Sequence, residues 1–426
     1  MSSLFVHLPD SKYRYLVLVA SVLLLFIGTG SVYLLVVTLK PIAADFNWPR
    51  AVPSFAYSLQ YVGGGVGGIV MGYWLDRSGM SGPALIGSLS IALGSVLLKY
   101  VTEIWELYAL FGLLMGLTGR STLFSPLMSN ITRWFIKKRT MAVGVVGAGQ
   151  SLAGAIWPPV FQAFNETVGW RDTTLYYGIF TFVTMTPLAL VFLRAPSGHD
   201  DDVSENAKTA NRNHPANGVD TQFIDTGPPL SPGRIQGWLS VASIGCCIAM
   251  SLPLGHIVAN VSDLGYAAAR GAEALSVMLI CASLSSFFGV GYLAGRYGGL
   301  RALFCFSGTQ ALILCVMAFV QDLTLIYLVA ALFGLGYGGV LPTYPVIVRE
   351  FLPGRSAGRR TATVILFAGF GMGVGAWMGG ALFDLTGSYK LAFLLGTACN
   401  VGNLIIIGSL IRLQRRGRLT LLSATY

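Results

Sequence analysis

Residues 195–233 read APSGHDDDVSENAKTANRNHPANGVDTQFIDTGPPLSPG. They hold one aromatic residue, Phe223, among many Asp, Asn, Pro and Gly. Such a stretch cannot bury enough apolar area to order itself, so a disordered linker is expected there. The chain on either side has the opposite character. A membrane-spanning helix needs about 20 mostly apolar residues. Runs of that kind lie near 14–39, 50–74, 82–101, 105–132, 139–164 and 172–193 before the linker. After it they lie near 235–261, 270–294, 300–320, 323–348, 360–383 and 389–411. The linker therefore divides twelve expected helices six and six. The expected organisation is an N-terminal bundle over 1–194, the linker, a C-terminal bundle over 234–412 and a basic tail over 413–426.

Composition agrees with this division. Apolar residues make up 54% of the chain and charged residues only 11%, where a soluble domain carries about 25% charge. Mean hydropathy is +0.67. No soluble core absorbs so much apolar surface, which excludes a nucleic-acid-binding module, a secreted disulfide scaffold and an ordinary cytosolic enzyme. The first run is preceded by Lys12 and Arg14, like a signal peptide, but it is too long for one. All six cysteines lie inside apolar runs, with no C-x-x-C pair and no His/Cys cluster. Buried free thiols are expected, with no metal and no cofactor.

The formal net charge of +10 marks one face of the membrane, not a nucleic-acid partner. With the N-terminus on the cytoplasmic side, 21 Lys and Arg fall on that side and 6 on the other. This bias places both termini and the linker in the cytoplasm. The chain also repeats itself. Gly72-Tyr-Trp-Leu-Asp-Arg-Ser-Gly79 follows the second run, and Gly291-Tyr-Leu-Ala-Gly-Arg-Tyr-Gly298 follows the eighth, 219 residues later. Arg133-Trp-Phe and Arg349-Glu-Phe each lead through a basic loop into a Gly-rich run. Duplication of a six-helix unit is the reading.

The loop bearing Gly72, Asp76, Arg77 and Gly79 resembles the signature loop of the major facilitator superfamily. Three further features look like its monocarboxylate transporter and oxalate:formate antiporter branch. They are Arg133-Trp134-Phe135 with Lys137, Lys138 and Arg139 leading into Gly144, Gly147, Gly149 and Gln150; Tyr33 eight residues before Pro41; and Phe383-Asp384-Leu-Thr-Gly387. The chain also departs from these patterns. Met80 and Ser81 stand where the superfamily loop is usually basic, and Gly295 where an Asp is common. Phe287 and Ala368 occupy the places of the branch's anion-binding Arg and Lys. The resemblance implies two pseudo-symmetric six-helix bundles, a cavity lined by helices one, four, seven and ten, and alternating access. It also implies that Asp76 and Arg77, with Arg296 of the second copy, act as a gating loop; a solvated loop charge is the alternative.

Arg120 lies near the middle of the fourth run, at the depth of transporter substrate sites. An arginine there costs about 2.5–3.5 kcal/mol on insertion scales, so it should face a cavity and have a partner. All 18 Asp and Glu lie in loops or at helix ends. A substrate carboxylate, which a guanidinium grips through two parallel bonds, is then the attractive partner. A structural or gating role for Arg120 stays open. Tyr33, Phe124, Gln150, Trp157, Tyr337 and Tyr344 are expected around it, with interhelical packing as the alternative for each aromatic. His256 is the candidate for proton coupling, or is simply hydrogen-bonded to its neighbours. Glycines crowd helices two, five and eleven, either for sliding bundles or for static close packing. The function expected is secondary transport of a small organic anion by a monomer in a bacterial inner membrane. Export of lipophilic compounds is the alternative, and a non-transporting ligand sensor a weaker one. A membrane-embedded enzyme would need clustered His, Asp or Glu at membrane depth, and the sequence has none.

Overall fold

The computed structural model describes residues 10–123, 125–135, 139–193, 231–352 and 357–416. The linker up to residue 230 and the tail from 417 lie outside them. Each apolar run falls on helix. Helices one to three are Asp10–Asp45, Ala51–Ser78 and Ser81–Leu97. Helix four is built from Ile104–Ala109, Leu110–Arg120, Ser121–Leu123 and Ser125–Trp134. Helices five and six are the two arms of Arg139–Leu190, which part at Gly169. Helix seven is Pro232–Asp263, and helix eight joins Ala268–Leu284, Ser285–Gly289 and Val290–Tyr297. Helices nine to twelve are Gly299–Met317, then Leu323–Gly338 with Val340–Phe351, then Ala357–Thr386, then Lys390–Arg415. Among the described residues, nine helical segments are long and apolar enough to cross a membrane. The remaining runs form helix two and the two arms of Arg139–Leu190.

The duplication read from the sequence reappears in the backbone. Among the described residues six have positive φ, and they form three pairs: Asn47 with Gly265, Gly79 with Gly298, and Gly169 with Gly387. The separations are 218, 219 and 218 residues. Each pair turns the same corner in the two halves. After helix one, Asn47 N–H bonds Ala44 O and Trp48 N–H bonds Ala43 O; after helix seven, Gly265 N–H bonds Ser262 O and Tyr266 N–H bonds Val261 O. Both are Schellman caps, which need a left-handed residue and so take Gly or Asn there. Among the nine candidate spans helices one and seven are the most enclosed, with 83% of their apolar windows buried against 33% for helix twelve.

Small residues set the helix spacing, as close packing in lipid requires. On helix eleven the glycines serve two faces. Gly371 and Gly375 abut the backbone of helix seven at Ile244 and Ile248, and Gly379 abuts His256. Gly373 and Gly380 face Ser58, Ser54 and Arg50 of helix two, in the other bundle. One set of these glycines therefore packs inside its own bundle and the other at the seam between the bundles. The six cysteines are unpaired; Cys246 and Cys247 are buried as expected, but Cys281, Cys315 and Cys399 are only half-buried and Cys305 is exposed.

Candidate functional site

Helix four widens before Arg120. Leu110–Arg120 is a π-helix, a form that recurs at functional sites. Its sequence LFGLLMGLTGR places glycines against helix two. A Cβ on Gly116 would lie 3.1 Å from Gln60 Cα, and one on Gly63 would lie 2.5 Å from Gly112 O. The two backbones touch, and this contact delivers Arg120 to helix two. Its guanidinium carbon lies 4.2 Å from the centroid of the Tyr61 ring, a cation–π contact. Its methylenes rest on Gly64, where a Cβ would come 3.0 Å from Arg120 Cδ.

Further aromatic hydroxyls gather round this pair. Tyr57 donates to Tyr61 Oη at 3.2 Å. Tyr33 and Tyr337 both lie within electrostatic range of Arg120 and Tyr61. A cavity of about 10 Å³ is lined by Leu25, Gly28, Thr29, Arg120, Leu123 and Gln150; that is room for about one water. Below it, Gln60 donates to Ser31 Oγ at 3.0 Å, while its own Oε1 is buried without a partner. Among the described residues no carboxylate pairs with Arg120.

The structure thus brings Arg120, Tyr33, Gln150 and Tyr337 together. Phe124 lies outside the described residues. Tyr344 sits elsewhere, in a separate core cluster with Val340, Phe306 and Ile235, fully buried and with its hydroxyl unpartnered. His256 is also elsewhere. It lies beneath Tyr389, with ring centroids 5.0 Å apart, and its Nε2 is 2.8 Å from Ala376 O. A carbonyl only accepts, so Nε2 carries the proton, and Nδ1 is buried without a partner. Gly72 and Gly79 are placed at the end of helix two and its cap, but the side chain of Asp76 lies outside the description. Arg77 is exposed and covers Tyr73 at 4.3 Å. Its repeat counterpart Arg296 donates to Tyr292 Oη at 3.3 Å, one helical turn back in each case.

Sequence reasoning passed over Tyr57, Gln60, Tyr61 and Gly64. A signal was present. Ser54-Phe-Ala-Tyr57-Ser58-Leu-Gln60-Tyr61 is a run of hydroxyl and amide groups inside an apolar helix, and polar groups at membrane depth face protein or cavity.

Two duplicated helical bundles round a charged, aromatic-lined centre are an architecture suited to a membrane transporter. The comparisons agree. The model of the Major Facilitator Superfamily matches residues 21–259 and 237–424, and the chain belongs to that family. It is 24% identical over 358 residues to monocarboxylate transporter 13 of Rattus norvegicus, covering 84% of this chain and 77% of that protein. It is likewise 24% identical over 343 residues to the agnestins efflux protein AgnL12 of Paecilomyces divaricatus, covering 79% of this chain and 73% of that one. Among solved structures, a bacterial homologue of the human lysosomal transporter Spinster superposes with a TM-score of 0.67 at 15% identity, covering 96% of this chain and 97% of that one.

Proposed function

We propose that the protein is a secondary transporter that moves a small carboxylate-bearing metabolite by alternating access, with Arg120 gripping the carboxylate. The observation that carries this reading is Arg120 itself. It is a cation at the cavity wall, braced by Tyr61 and Gly64 and paired with no carboxylate among the described residues. Tyr33, Tyr337 and Gln150 would complete the pocket with hydroxyl and amide groups, and Phe124, one turn from Arg120 in sequence, would add an apolar wall. Tyr344 supports the tenth helix from behind. The similarity to monocarboxylate transporter 13 supports the substrate class. His256 is kept as the candidate for proton coupling, through its unpartnered Nδ1, with the structural alternative supported by its Nε2 bond to Ala376 O. The Asp76–Arg77 loop and Arg296 are assigned to gating on the basic face.

The proposed organisation keeps the bundles at 1–194 and 234–412, the linker between them and the tail over 413–426, in a monomer. The excess of basic residues supports both termini in the cytoplasm. A plasma membrane is the proposed site. The two relatives compared by sequence come from rat and a fungus, and give a bacterial inner membrane no support.

The test is uptake into proteoliposomes from a panel of mono- and dicarboxylates, with and without a pH gradient. One or more carboxylates should be taken up; Arg120→Ala should bring uptake to background with the protein still folded, and Arg120→Lys should recover little. Wild-type uptake by Arg120→Ala would remove Arg120 from the site. A second reading is export of a lipophilic compound. The apolar wall of Leu25 and Leu123 and the similarity to an efflux protein favour it, and binding of neutral amphiphiles without any carboxylate response would select it.

A further inference from the structure

The loops on the face away from the chain ends carry an unequal set of charges. Arg50, just before helix two, reaches into the other bundle. Its guanidinium forms a two-bond ion pair with Asp263 at the end of helix seven, one bond at 2.8 Å from Nη2 to Oδ1 and the other from Nη1 to Oδ2. Nη1 also donates to Tyr389 Oη at 3.0 Å, and the guanidinium carbon lies 3.7 Å from the Phe383 ring centroid. Lys40 pairs with Asp263 at 2.9 Å. Asp384, at the end of helix eleven, accepts from the backbone N–H of Arg50 at 2.9 Å and of Ala51 at 2.7 Å. A carboxylate there satisfies the open donors at a helix start. Burial works against the Arg50 charge, but Asp263 and Tyr389 together more than offset it, and the pKa is raised.

The internal repeat shows that this clasp belongs to the seam. The counterparts of Asp263 and Tyr389, 218 residues earlier, are Asp45 and Arg171. Those two pair with each other inside the N-terminal bundle at 2.9 Å. Asp384 has Glu166 as its counterpart, and Glu166 accepts from Gln162 of its own helix at 2.9 Å. In the C-terminal half a tyrosine stands where the arginine would be. Asp263 is therefore left for Arg50 of the other bundle, and Tyr389 accepts from the same guanidinium. Below the clasp the seam is continuous: Ser54 is fully buried against Gly380. Further along helix two, Gly68 and Gly72 have nothing within 4 Å.

We propose that Arg50, with Asp263 and Asp384, is the latch that holds this mouth shut, and that the transport cycle must break it. The inference is independent of Arg120 and of the substrate class. The test places a reporter in the seam of the full-length chain in membranes. Ser54→Cys is treated with a membrane-impermeant maleimide, and its labelling is read above that of the chain without it. With the latch intact, labelling should be slow. Asp263→Asn should speed it about tenfold, Asp263→Glu should keep it slow, and Asp45→Asn, which breaks only the pair inside one bundle, should leave it slow. Where Asp263→Asn does not reach the membrane, Arg50→Gln gives the same reading. Unchanged labelling in the latch variants, or equal acceleration by Asp45→Asn, would overturn the proposal.

Discussion

Helix one meets helix five where helix seven meets helix eleven, and at one matched pair of positions the two contacts are built from opposite residues. In the N-terminal bundle Gly30 lies on helix one and Trp157 on helix five. A Cβ on Gly30 would be 3.0 Å from Trp157 Nε1. The indole stacks on Phe26 at 5.5 Å and donates to Phe26 O at 3.0 Å. Both residues recur 218 positions later as Ile248 and Gly375, with the glycine now on the outer helix and pressed against Ile248 O and Ser251 Oγ. At this pair of positions one half separates its helices with a hydrogen-bonded aromatic plate and the other lets the backbones touch, although elsewhere on the N-terminal contact Gly149 also meets the backbone of helix one at Val22 O. Duplication conserved the corners of the fold and left the means of packing free.

The largest expected effect breaks this contrast directly. Trp157→Ala removes a large, nearly buried ring and should cost about 3–5 kcal/mol, because the neighbours cannot collapse into the space. Gly375→Ala forces a methyl onto backbone and should cost about 1–3 kcal/mol by overpacking. Thermal stability of the purified protein in detergent checks both. If Gly30→Ala and Gly375→Ala shift the melting point equally, the glycine contacts are equivalent after all, since Gly30 meets only side-chain atoms within 3.0 Å.

The same asymmetry explains what the sequence could and could not show. The helical runs and the repeat were legible because lipid demands long apolar helices and because left-handed corners demand Gly or Asn. Arg120 was legible because a lone cation at membrane depth needs a reason. Its support on Tyr61 and Gly64 was not, since an aromatic and a glycine in an apolar helix look like packing until the neighbouring helix is placed. Tyr344 shows the converse: its place on helix ten suggested the cavity, but its turn of the helix points it into the core cluster of its own bundle. The Arg50 clasp was illegible for a different reason. Arg50 and Asp263 were read as ordinary charges at helix ends and Asp384 as part of a family pattern, and only the pairing across 213 residues between Arg50 and Asp263 gives the clasp meaning.

A smaller effect sharpens the charge comparison. Tyr389→Arg copies into the C-terminal half the residue found at 171. The new guanidinium should compete for Asp263 from within its own bundle and weaken the hold of Arg50. Labelling of Ser54→Cys should rise several-fold, on the order of 1 kcal/mol of shift, without loss of any charged partner. Labelling that stays slow would mean that Arg50 keeps the carboxylate even against a competitor, and that the tyrosine is not what frees Asp263.

The smallest effect belongs to the pair left inside the N-terminal bundle. Asp45 and Arg171 have side chains 45% and 37% exposed, and pairs so open to solvent contribute about 0–1 kcal/mol. Arg171 also donates to the carbonyls of Lys99 at 2.9 Å and Val101 at 3.3 Å, so it keeps partners when the carboxylate is gone. Asp45→Asn should therefore lower the melting point by no more than a degree or two and leave transport intact. Asp263→Asn, made at the matching corner of the other half, should change the access of the mouth instead. A large loss of transport in Asp45→Asn would mean that the corner serves the cycle in both halves, and that the division between a static clasp and a moving one does not hold.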